Sequence, residues 1–180
     1  MKLNNFFVMG ATAFAMTSGS VYAADNYEAA LADAVWQGTI GSSVPGTNLI
    51  ITGEAGGDIQ RGTLYIDQDG TFTSSNVILE ARDYTPAGGG VGGGDPEDIG
   101  ARQPNAEWTY VSSQVLIGNQ VTSDAAVSVY DDQTELTQDK NHTGGYVQLN
   151  VKNLVPITDV PVEGEAQVMV QMAASYESSI

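Results

Sequence analysis

The chain has 180 residues, with 22 acidic side chains against six basic ones, a formal net charge of −16, and no cysteine. That balance excludes the basic patches that nucleic acid or an anionic membrane surface demands, so neither is expected as a partner. The absence of cysteine excludes disulfide staples, thiol catalysis and thiolate metal sites, which leaves burial and strand pairing to hold the fold.

In chain order, residues 1–23 read as an export signal. Lys2 supplies the positive start, Phe6 to Met16 a short apolar run, and Val21-Tyr22-Ala23 a small-x-small cleavage site. The apolar run is too short, and too often interrupted by Gly and Thr, to span a bilayer; no later segment approaches that length, and membrane insertion is not expected. Cleavage after Ala23 would leave 157 residues, enough for one domain, with five basic residues against 22 acidic, or −17. The bland reading of the acidity is solubility in an exported protein.

Asp25 to Val35 admits two readings. Tyr27, Ala30, Leu31, Ala34 and Val35 could form one face of a short helix capped by Asp25 or Asn26. From Ala34 the period changes: Ala34, Trp36, Gly38 and Ile40 alternate, which favours an extended strand. Asn48 to Thr52 is a short strand of buried type. Thr63 to Ile66 and Thr71 to Thr73 flank Asp67-Gln68-Asp69-Gly70 and predict a hairpin, with Asp-Gly giving the positive φ that a tight turn needs. Val77 to Ala81 is the next strand. Residues 86–100 hold seven glycines and two prolines and predict a long surface loop.

The second half repeats the pattern at Glu107 to Val111, Gln114 to Ile117, Ala125 to Tyr130, Tyr146 to Val151 and Ala166 to Tyr176. In the last run Ala166, Val168, Val170, Met172, Ala174 and Tyr176 occupy every second position, the period of a strand with one buried face. Many short strands with turn signals between them imply an all-β sandwich or barrel.

Candidate chemistry is thin. His142 is the single histidine, and no partner is spaced to help it, so it reads as a solvated loop residue. There is no Gly-x-Ser-x-Gly elbow. Asp67-Gln68-Asp69-Gly70 begins like a calcium loop but lacks the closing acid, so a hairpin turn is the simpler reading. Asp95-Glu97-Asp98 and Asp131-Asp132 read as solvated clusters, with weak calcium binding as the sharper alternative. Trp36 and Trp108 could stack on a sugar, yet each sits in an alternating strand where burial is the commoner fate. The glycine-rich stretch lacks the context of a phosphate cradle, and nothing selects a carboxylate pair for glycoside hydrolysis. No cofactor, metal site or catalytic constellation is expected, and the chain is read as non-enzymatic.

The two ends together are more informative. Val35-Trp36-Gln37-Gly38-Thr39-Ile40 is an aromatic-x-Gly-x-aliphatic segment, and the last strand has Gly164 twelve residues before Tyr176. This pairing resembles the subunits of chaperone–usher fimbriae, in their cysteine-free subgroup. The resemblance implies an immunoglobulin-like sandwich missing its final strand, with residues 24–41 as an N-terminal extension and residues 42–180 as the pilin domain. Ala34, Trp36, Gly38 and Ile40 would be the donor strand. Gly164, Ala166, Val168, Val170, Met172, Ala174 and Tyr176 would form the acceptor groove and the strand read by the chaperone. The implied partners are a periplasmic chaperone, an outer-membrane usher and neighbouring fimbrial subunits, with export through the periplasm to a surface fimbrium. The competing reading is a secreted carbohydrate-binding or adhesive β-sandwich using an exposed Trp and calcium.

Overall fold

Alternation of apolar residues turns every second side chain of the long strands toward one interior, and the computed structural model of the chain resolves that pattern into two facing sheets. It describes residues 27–36, 41–88, 96–117, 120–121, 126–153, 155–156 and 166–177. Among them lie β1 (Tyr27–Trp36), β2 (Ser43–Val44), β3 (Leu49–Thr52), β4 (Leu64–Ile66), β5 (Phe72–Ser74), β6 (Val77–Thr85), β7 (Asp98–Arg102), β8 (Glu107–Ile117), β9 (Gln120–Val121), β10 (Val127–Asp131), β11 (Thr134–Glu135), β12 (His142–Thr143), β13 (Tyr146–Asn153) and β14 (Ala166–Glu177). The one helical element among the described residues is a 3-10 turn at Glu54–Gly56.

The first sheet runs in the order β12-β8-β14-β1-β2, with β9 beside the end of β8. In the second, β13 is flanked by β10 on one side and by β5 and β6 on the other; β4 pairs with β5, β3 and β7 with β6, and β11 with β10. All of these strand pairings are antiparallel. Trp36, Trp108, Val168, Val170 and Met172 of the first sheet meet Leu49, Ile51, Phe72, Leu79, Val129 and Leu149 of the second in one core. Each such Val, Leu, Ile or Met side chain stabilises the fold by roughly 1.5–3 kcal/mol relative to exposure. The expected all-β sandwich is therefore present.

Several local expectations need correction. Tyr27–Trp36 is a strand, not a helix. The preference of its alanines for helix is worth at most about 0.7 kcal/mol per residue, and ten register pairs with β14 outweigh it. Asp98 to Gly100, expected within the loop at 86–100, open a strand, β7 (Asp98–Arg102), that pairs with β6. Arg82 explains why: its Nη1 donates to the Gly100 carbonyl at 3.0 Å, while its Nη2 and the Nη1 of Arg102 reach the Glu80 carboxylate at 2.7 and 3.5 Å. Glu80 is buried, and these two guanidinium groups satisfy a charge that would otherwise be costly to enclose.

The two runs expected at 107–111 and 114–117 are a single strand, β8, whose register against β14 shifts at a bulge beside Gln171 and Met172. The bulge lets Tyr110 and Ser113 both face the interior row, and the Tyr110 hydroxyl donates to Ser113 Oγ at 2.7 Å. The Asp-Gly hairpin forms as expected: Ile66 pairs with Phe72, and Gly70 has φ 82°. Buried Asn153 fastens it, accepting from Phe72 N at 2.7 Å and donating to the Gly70 carbonyl at 2.9 Å.

Candidate functional site

The strand that ends the described chain, β14, is a central strand with two neighbours. On one flank β8 places Trp108, Tyr110, Ser113, Val115 and Ile117 opposite Ala174, Met172, Val170, Val168 and Ala166. On the other, β1 places Ala30, Ala32, Ala34 and Trp36 opposite Ala174, Met172, Val170 and Val168. Those four β1 residues and their four β14 partners are all buried. Tyr176 packs against the margin of the same core.

β1 is seated by its own chain along its second edge as well. Ser43 and Val44 pair with Ala32 and Leu31. Asp33 N donates to the Ser42 carbonyl at 2.9 Å, Gly62 N donates to the Val35 carbonyl at 2.9 Å, and Asn48 Nδ2 donates to Glu28 Oε1 at 2.9 Å. Trp36 closes the row, with its Nε1 donating to the Ser75 carbonyl at 2.7 Å. Two close approaches require glycine here. A Cβ on Gly62 would run into the Trp36 indole, and a Cβ on Gly46 would run into the Ala29 carbonyl oxygen.

The sequence expectation had the acceptor edge of the last strand left open for another molecule. In this chain that edge is occupied in cis by β1. Ala34 and Trp36, assigned to an extension lying outside the domain, are part of its sandwich. Of the expected site residues, the structure brings together Ala34, Trp36, Ala166, Val168, Val170, Met172 and Ala174, with Tyr176 at the end; Gly38, Ile40 and Gly164 lie outside the described residues. Sequence reasoning missed Ala30 and Ala32, which continue the parity of Ala34 and Trp36 but are equally at home in a helix. It also missed Gly46 and Gly62, whose role depends on a neighbour distant in sequence.

On the opposite face of β1, Leu31 and Asp33 are half-buried while Val35 is buried. Asp33 lies there beside Gln171, and burial pushes its carboxyl above the usual carboxylate range, opposed by hydrogen bonds with Gln171 and Ser42.

The remaining sequence candidates resolve as structural groups. His142 does have a partner: its Nε2 lies 2.8 Å from Asp131 Oδ2, while Asp131 Oδ1 accepts from Gln148 N at 2.8 Å. The pair ties β12 to the end of β10. Asp69 accepts from Thr71 N and Oγ1 at 2.9 and 2.7 Å, and these bonds hold its carboxyl below the usual range. Its carboxylate is engaged in the turn. Both tryptophans are enclosed; Trp108 Nε1 donates to the Gly144 carbonyl at 2.7 Å. Among the described residues no group of three or more His, Asp or Glu side chains is placed to hold a metal ion, and no helix is long and apolar enough to cross a membrane.

In this arrangement β14 presents no open edge, being paired on both sides within its own chain. Main-chain hydrogen bonds satisfy both edges of β14 while alternate side chains fill the space between the sheets. No known protein family, curated protein or solved structure matches this chain.

Proposed function

We propose that the protein is a structural, non-enzymatic subunit of a chaperone–usher surface fimbria, and that its subunits join when β1 of one copy takes the place of β1 in the next. The observation that carries the proposal is the nature of β1. It is the first described strand, it pairs with ten of the twelve residues of β14, Val168 to Glu177, and its inward face is three alanines ending in one large anchor, Trp36. A strand that completes its own sandwich makes the same contacts in a second, identical sandwich, so exchange between copies is close to neutral in contact energy. What decides between the two is the effective concentration of the cis strand and the freedom of the segment after Trp36.

On this reading the edge of β14 is the acceptor site, with Val168, Val170 and Met172 as its wall. A periplasmic chaperone would hold that edge until the outer-membrane usher delivers the incoming subunit, and the assembled fimbrium stands on the cell surface. The carbohydrate-binding alternative loses its stacking platform, because both tryptophans are enclosed.

The test is refolding a chain lacking residues 1–40 together with the full mature chain. A one-to-one complex that survives dilution is expected, in which the full chain donates β1, and the same mixture with Trp36→Ala in the donor should give none. A truncated chain that folds alone and ignores the full-length chain would sink the proposal.

A further inference from the structure

The face of the first sheet turned away from the core stands out from the rest of the molecule by its charge. The chain carries 22 acidic residues, yet β1, β8 and β14 contain no Lys or Arg, and their acids are Glu28, Asp33, Glu107 and Glu177. Register places Glu28, Glu107 and Glu177 at one end of the sheet, beside Tyr176 and Ser175. The fourth, Asp33, is engaged by Gln171 and Ser42. Between them the outer face is made of amide, methyl and thioether groups: Gln114, Leu116, Met169, Gln171, Ala173 and Leu31 are each partly exposed, while Val35, opposite Met169, is buried at the β1 margin. The second sheet is built differently, with Arg82, Arg102 and Lys152 on β6, β7 and β13.

We infer that this outer face of β8, β14 and β1 is a self-association surface whose partner is the same face of a second copy of the chain. Charge singles out that occupant. Two copies of a chain this acidic repel in most orientations, and like charges brought together across an interface cost several kcal/mol. The orientation that sets these two sparsely charged faces together, each with Asp33 as its one carboxylate away from the end of the sheet, keeps the penalty smallest. A cationic partner would gain more elsewhere on this acidic molecule. The size of the patch sets the strength. Ten residues of strand at about 3.3 Å each, across three strands spaced about 4.8 Å apart, cover on the order of 500 Å² per copy. Two copies would bury on the order of 1,000 Å², at the low end of specific interfaces, so the contact is weak and reversible. The inference does not rest on the fimbrial reading, since β1 stays in its own sandwich throughout.

Sedimentation velocity of the mature chain checks it. The weight-average mass should rise as concentration is taken from about 10 µM to about 1 mM and fall back on dilution, the range in which a contact of this size dissociates. Met169→Glu, and separately Leu116→Glu, should weaken association at least tenfold, with β-sheet circular dichroism unchanged. Gln60→Glu adds the same charge at an exposed site on another part of the surface and should leave association within about twofold of the parent. A mass constant over the whole range overturns the inference, as does equal weakening by all three variants. Oligomers that fail to dissociate on dilution would also overturn it, and would assign self-association to exchange of β1.

Discussion

The two flanks of β14 are built from different materials. Against β8 its inward residues meet Trp108 and Tyr110, aromatic side chains each with a hydrogen bond of its own, across a bulged register. Against β1 the register is unbroken over ten pairs, and the inward residues are Ala30, Ala32 and Ala34 until Trp36 is reached. Burial energy scales with apolar area, at about 0.8 kcal/mol per buried methylene-sized group, so each alanine contributes little and Trp36 most of the inward face's share. The β8 flank is thus held by side chains distributed along its length. On the β1 flank the side-chain contribution is concentrated in Trp36, with backbone hydrogen bonds along the rest of the strand. The proposed exchange of β1 between copies depends on that difference.

The difference can be broken most sharply at Trp36. Trp36→Ala removes the anchor, leaves a cavity between the sheets and takes away one of the two donors to the Ser75 carbonyl, the other being Ser74 Oγ; about 3–5 kcal/mol should be lost in urea unfolding monitored by circular dichroism. If β1 were held mainly by its backbone, the loss would be below about 1 kcal/mol. On the other flank, Trp108→Phe keeps most of the burial and removes the donor to the Gly144 carbonyl, so about 1–3 kcal/mol should be lost. A larger effect there than at Trp36 would reverse the ranking of the flanks.

The smallest effect concerns pH. Asp33 has its folded carboxyl raised above the ordinary value of 3.8, chiefly by burial, so between that value and the raised one the folded chain binds more protons than the unfolded chain. Its contribution to stability therefore falls as pH rises through this window. Asp33→Asn should lift the thermal midpoint relative to the parent at neutral pH, and the gain should shrink as pH is lowered toward 3.8. A gain independent of pH would mean that the carboxyl is not perturbed by the strand.

Which parts of this were legible in the sequence follows from the range of the interactions. β13, β14 and the Asp-Gly hairpin announce themselves because alternation and turn chemistry are local. β7 does not, because the alternation of Ile99 and Ala101 is only two residues long beside a glycine-rich run, and the strand is held by Arg82 and by pairing with β6. His142 was judged partnerless because Asp131 lies eleven residues away, on another strand. Tyr27 to Trp36 was ambiguous because alanine suits a helix as well as an inward strand position, and what decides is β14, far along the chain. The relation between the two terminal segments was legible as complementarity, but the sequence placed it between molecules and the structure has it within one.

The pairing of Tyr27 with Glu177 joins residues 150 positions apart. Synthesis runs N-terminus first and presents β1 long before β14 emerges, so the first strand must wait for the last. Contacts of such separation form slowly, and the half-made sheet meanwhile exposes the inward edge of β8 to any other strand that arrives. The topology therefore builds in a delay between synthesis and closure, and in that delay the chain is most open to being held by something other than itself.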